Sequence, residues 1–373
     1  MVLRTPNGGR SVRLPRRPFL VGTALAAAAL AVAVLSLGSG TVRLSPAEVV
    51  ATLAGGGPPG AGLVVLDLRL PRVLDALLAG LAMGASGAVF QSLSRNPLGS
   101  PDIVGFGNGA SAGALIAIIV LDAGAVQTTA GALAGGLLTA LAVYLLAWRG
   151  GVHGHRLVLT GIGVSAVLGA LTEFLFVRAD LGKAAQAATW MVGSLGGRDW
   201  GDVTVAAVGL AVLAPALLPL ARRLAMLEMG DDAASALGVR AERDRLALLA
   251  VGTGLVAMAV AAAGPIPFVA LASPQLARRL TRSGTPGPVT AGLMGALLVT
   301  AADWTAQRLP GPSPSRSAWS RACSAASTCP GSSWPNAAPA PSDTATACLS
   351  AVRFGTGAGD GSELRHSVDS PLS

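Results

Sequence analysis

The sequence predicts an all-α fold, a polytopic transmembrane helical bundle, and three observations carry that expectation. Charge is scarce: 27 Lys+Arg and 19 Asp+Glu in 373 residues, or 12%, where soluble domains carry about 25%. Hydrophobic residues reach 52% and mean hydropathy is +0.61, and the apolar residues gather in stretches of about twenty, the length that crosses a bilayer core. The basic residues sit in short segments between those stretches, as cytoplasmic loops do. An ordinary soluble enzyme is thereby excluded. The net charge of +8 and pI near 11.0 follow from loop composition, so no nucleic-acid partner is expected.

Residues 1–18 read as a basic N-terminal arm, with five arginines from Arg4 to Arg17 and no acid. The run 19–37 that follows is long enough to span and ends at no small-residue cleavage site. It is expected to stay as the first helix, with the N-terminus in the cytoplasm. Further apolar runs at 73–93, 103–121, 126–148, 157–177, 203–221, 246–263, 266–280 and 288–306 complete nine spans. Gly, Ala and Ser crowd several of them, clearest in Ala82–Ala88 and Gly107–Gly113. In lipid, such residues let helix backbones approach closely. Assigning loops alternately puts 16 Lys/Arg on the cytoplasmic side and 7 opposite, the bias that orients plasma-membrane proteins. Membrane lipid is thus the first partner expected.

Two connections are richer than loops need to be. Arg178–Asp202 holds an apolar patch around Trp190 between glycines, consistent with a short interfacial helix. Arg222–Arg245 is the most charged stretch, with Glu228, Asp231 and Asp232 ahead of a short apolar helix stopped at Leu237-Gly238. It is either a solvated hairpin or a docking helix for a cytoplasmic partner.

No catalytic constellation is present. His153 and His155 share one basic loop without a carboxylate or cysteine at ligand spacing, and Cys323, Cys329 and Cys348 lie in the last sixth of the chain, so neither a metal site nor a cofactor is expected. No Gly-Lys-Ser/Thr phosphate loop occurs, which leaves any ATP chemistry to another chain. Asp75, Glu173 and Asp303 are the main ionisable residues in or near the spans. Their scarcity weighs against a secondary transporter working alone, which relays ions through such groups and stands as the alternative.

Motifs in order along the chain narrow the choice. They are Arg69–Arg72 (RLPR), Gly80–Ser92 with Gln91, Arg95-Asn96-Pro97-Leu98, Pro101–Gly105, Gly109-Ala110, Leu159–Ala166, Trp190 with Gly193-Ser194-Leu195, and Gly264-Pro265-Ile266 through Arg278. Together, over about residues 60–309, they resemble the membrane permease subunit of bacterial iron-siderophore, haem and cobalamin ABC importers. Pro267 stands where that family usually has Gly, and Gln275 where it often has His.

The resemblance implies a ten-helix subunit that pairs with a second permease subunit, an extracytoplasmic substrate-binding protein, and cytoplasmic ATP-binding subunits. It implies import of an iron-siderophore complex, with no covalent step in this chain. Glu228, Gly230, Ala234, Leu237 and Gly238 match the helix that couples to the ATPase. Arg69 and Arg72 match arginines that dock the binding protein; their other reading is interfacial anchoring of the second span. A wide pathway for a bulky chelate wants small and hydroxyl residues, and Thr160, Gly161 and Ser165 fit, either as that lining or as helix-packing contacts.

From residue 310 to 373 the composition turns to Pro, Ser, Ala, Cys and Trp, and no span can be drawn. A disordered tail is the expectation from composition. Back-translating 316–338 one base out of frame permits an apolar string closed by charges, similar to the family's last helix. The tail is therefore expected to be frame-shifted, and the chain possibly an inactive remnant of a permease.

Overall fold

The computed structural model describes residues 2–4, 11–13, 16–40, 44–102, 105–148, 154–284 and 287–308. The expectation of a disordered, frame-shifted tail at 310–373 lies outside the described residues. The fold is helical, apart from one antiparallel ladder in the basic arm, where β1 (Val2–Arg4) pairs with β2 (Ser11–Arg13).

Twelve helices follow. They are α1 (Arg16–Gly38), α2 (Pro46–Leu53), α3 (Leu70–Ser94), α4 (Phe106–Leu115), α5 (Ala125–Ala147), α6 (Gly154–Arg178) and α7 (Leu181–Val192). Then come α8 (Trp200–Glu228), α9 (Asp231–Ala236), α10 (Ala241–Ala263), α11 (Val269–Thr281) and α12 (Pro288–Arg308). Among the described residues seven helices are long and apolar enough to cross a membrane, against the nine spans expected. The other two runs fold shorter for local reasons. The run at 103–121 becomes Phe106–Val120, whose last turn is π-helical. The run at 266–280 loses its start, because Pro265 and Pro267 cannot continue a helix and Phe268 turns left-handed at φ 66°. Only the 13 residues of α11 remain, about 20 Å of helix.

A π-helical segment, Leu63–Arg69, runs directly into α3. Pro71 explains it: proline donates no hydrogen bond, and its ring would strike the carbonyl one turn back. The ladder slips by one residue, so the Leu70 N–H reaches the Val65 carbonyl. α3 then forms the centre of the bundle, packed on α12, α10, α8 and α11. α6 and α8 are mostly uncovered and present Leu159, Val167, Val177, Val208 and Val212 outward, as lipid-facing helices do.

Small residues set the crossings. A Cβ on Gly80 would lie 2.5 Å from the Gly295 carbonyl oxygen, and one on Gly84 or Gly87 would strike the carbonyls of Ala291 or Ala270. α3 is thereby pressed onto α12 and α11, backbone to backbone. Gly109 and Gly113 of α4 meet Gly131 and Gly135 of α5 in the same way. These are the two small-residue stretches singled out in the sequence.

Candidate functional site

Polar side chains concentrate at the two ends of α3. At one end α8 closes on Glu228, the backbone turns through Gly230 at φ 116°, and the single turn of α9 follows. The Gly238 N–H bonds the Ser235 carbonyl at 2.9 Å and the Val239 N–H the Ala234 carbonyl at 3.0 Å, while Gly238 sits at φ 83°. That paired closure, with glycine in the left-handed position, is a Schellman stop. It makes α9 a short rigid knuckle: Ala234 is fully buried beneath it and Leu237 is 60% exposed. The five residues matched to a coupling helix thus fall in one hairpin, two as hinges, one as base and one as an outward apolar knob. Glu228 turns away from the knob, into a polar cavity of about 190 Å³ that it shares with Gln91, Ser92, Arg95 and Arg278.

Three residues at this end carried no signal in the sequence. Asp231 accepts from Arg95 at 2.9 Å and from Arg245 at 2.8 Å. Burial alone would raise its carboxyl, but Arg245 and Arg95 outweigh that and hold it below the usual range. Arg95 reaches the site because α3 ends with it in the left-handed conformation, φ 50°. Sequence distance hid the cluster, since 136 positions separate Arg95 from Asp231.

At the opposite end, a groove of about 1030 Å³ runs between α1, α3 and α12 and is lined by Arg69, Arg72 and Arg308. Arg69 donates to the Leu37 carbonyl at 2.7 Å. Arg72 grips Asp303 with Nε at 3.1 Å from both oxygens and Nη2 at 2.6 Å. Arg308 stacks on Trp304 with its guanidinium carbon 4.2 Å from the ring centre. The groove therefore carries three cations, one of which sequence reading left aside.

Thr160, Gly161 and Ser165 share α6 but not its open side. Thr160 is half-buried and gives its hydroxyl proton to the Arg156 carbonyl at 2.7 Å. Gly161 is buried, and Ser165 packs beneath Gly105 at the start of α4 with its hydroxyl unpartnered. The uncovered face of α6 is carried by Leu159, Ile162, Gly163 and Val167. Asp75, in α3, is fully buried, and neither carboxylate oxygen has a hydrogen-bond partner.

Comparison with known proteins fits this architecture. A model of the FecCD transport family matches residues 18–316. The chain belongs to the FecCD transport family. Its relatives include the ferric enterobactin transport system permease protein FepG of Escherichia coli, 44% identical over 298 residues, covering 80% of this chain and 90% of FepG. The cobalamin import system permease protein BtuC of Halobacterium salinarum is 37% identical, covering 67% and 69%. A solved structure described as an inward-facing conformation of a metal-chelate type ABC transporter superposes with a TM-score of 0.70 at 28% identity, over 79% of this chain and 92% of that one. This FecCD chain is accordingly a multi-pass transport permease and not an enzyme. Its family implies a second permease subunit and ATPase subunits as partners.

Proposed function

We propose that this FecCD permease is the membrane-spanning subunit of an ABC importer that carries an iron-siderophore complex across the plasma membrane, with its N-terminus in the cytoplasm. The observation that carries the reading is α9: a rigid knuckle between two positive-φ glycines, presenting Leu237 outward from the most charged hairpin of the chain. A membrane helix needs no such feature unless something docks on it. Glu228, Gly230, Ala234, Leu237 and Gly238 then form the seat of a cytoplasmic ATP-binding subunit, and ATP turnover there biases the paired permeases between two states. The siderophore assignment is supported by FepG at 44% identity. Arg69 and Arg72, at the other end of α3, dock an acidic surface of an extracytoplasmic substrate-binding protein. The pathway runs along α6, with Thr160 at its edge and Gly161 and Ser165 holding that wall against α4.

The test is reconstitution in proteoliposomes with the ATPase and binding protein, using the full chain and, beside it, the version whose residues after 309 are read in the shifted frame. Uptake of a radioiron siderophore that needs ATP and both partners supports the reading. Uptake by the permease alone, driven by an ion gradient, would establish the secondary-transporter alternative.

A further inference from the structure

Asp231 sits where four elements converge. It is the first residue of α9, and its Oδ1 accepts from Arg95, just past α3, and from Arg245 of α10. The Nη2 of Arg95 that makes this bond also donates to the Leu227 carbonyl at 2.8 Å, in the last turn of α8. Arg245, 11% exposed, reaches back to Glu242 at 3.4 Å. One nitrogen of Arg95 therefore ties the end of α3 to both the end of α8 and the beginning of α9.

α3 has little freedom to absorb a displacement along its length. Gly80 and Gly84 meet α12 at backbone distance, and Gly87 meets α11. A helix so packed moves as a rod with its neighbours, because close-packed contacts admit discrete rearrangements and not gradual compression. Its far end carries Arg69 and Arg72. We propose that Arg95 and Asp231 form the joint by which α3 positions α9, so that binding-protein docking at one end of α3 is read at the ATPase seat at the other.

The joint rests on the reading of α9 as that seat, and both residues are positioning residues. Each side chain is 48% exposed, and such pairs add little to folding stability. The contact serves register: breaking it leaves the fold in place and changes what α9 senses. Because both bonds leave one nitrogen, a lysine ammonium at position 95 can replace them. An exposed pair is also screened by salt, which gives the joint a signature that buried packing lacks.

The experiment compares wild type, Arg95→Gln and Arg95→Lys as the reconstituted complex, in the given and the frame-shifted versions of the tail. Three quantities are measured: co-purification of the ATPase, the unfolding temperature, and the ratio of ATP hydrolysis with and without binding protein as salt is raised. Arg95→Gln is expected to keep the ATPase and the unfolding temperature but to lose at least fivefold of the stimulation ratio. Arg95→Lys should recover most of it. Wild-type stimulation should fall with salt, and the residue left in Arg95→Gln should not. Wild-type stimulation in Arg95→Gln, loss of folding in that variant, or failure of lysine to recover the ratio would each overturn the joint while α9 remains the seat. Absence of the ATPase from purified wild type would overturn the seat, and the joint with it.

Discussion

Arg72 and Asp303, 231 positions apart, close α3 onto α12 through a three-bond fork at the mouth of the outer groove. Asp303 is 7% exposed and Arg72 31%, so this arginine has a structural partner before any protein docks. Arg72→Ala should lower stability by about 1–3 kcal/mol, since it leaves a buried carboxylate unpaired. Arg72→Lys should recover only part, because an ammonium cannot reproduce a fork through Nε and Nη2. Thermal unfolding in detergent measures both. Asp303→Asn separates the roles: it frees Arg72, so it should leave binding-protein affinity equal or tighter, whereas Arg69→Glu should weaken it and flatten its salt dependence.

Leu237 projects from α9 without contributing to the core, so Leu237→Asp should leave unfolding temperature unchanged. If burying it in the ATPase contributes about 1.5–3 kcal/mol, the variant should bind the ATPase about ten- to a hundredfold more weakly. Titration of the ATPase onto immobilised permease provides the number.

The Asp231 carboxyl is held below its ordinary range by Arg245 and Arg95. A carboxylate whose folded pKa is depressed stabilises above its unfolded value, about 3.9, and loses that stabilisation as pH falls through the folded one. The difference in unfolding temperature between wild type and Asp231→Asn should thus stay constant from pH 8 to about 5 and close only in stronger acid. A difference that closes between pH 7 and 6 would contradict this assignment.

Asp75 is fully buried with both oxygens unpartnered. Such a group in a membrane span is expensive and is retained for function. Asp75→Leu should raise stability by about 1–3 kcal/mol while reducing uptake in proteoliposomes. A variant that is both more stable and fully active would show that the carboxyl has no task.

The match to the family extends to residue 316, and the change to a Pro/Ser/Cys-rich composition sets in at 310. Resequencing the locus should uncover a single-base insertion or deletion in the codons for about Leu309–Ser315. Restoring the frame should add a tenth apolar span and improve recovery of the assembled permease. An intact frame with the same ending in near relatives would make the tail genuine.

The bundle was largely legible because lipid imposes a one-dimensional signal: apolar length gives spans, and arginine placement gives loops. The close-packed glycines of α3 and α4 could be read for the same reason, since only packing explains such residues at helical spacing. The knuckle was readable at Leu237-Gly238 because a left-handed stop is a local event. What escaped depends on distance or on a local break. Nothing near Arg72 announces Asp303, and nothing near Arg95 announces Asp231. The turn at Pro265–Phe268 interrupts an apolar run without making it polar, so hydropathy carried one expected span through it. Gly161 and Ser165 show a related limit, because small residues look alike whether they line an opening or pack against α4.

The π turn ahead of α3 governs the direction in which the outer charge faces. It holds one residue more than an α turn, so Arg69 and Arg72, three apart in sequence, are not stacked at the azimuth that ordinary helical spacing would give them. Adding or removing a residue between Leu63 and Arg69 would leave α3 locked on α12 yet swing Arg69 about 100° around the axis. Two permeases with the same arginines and the same core could in this way aim their cations at differently shaped partners, with specificity set by residue count where no side chain has changed.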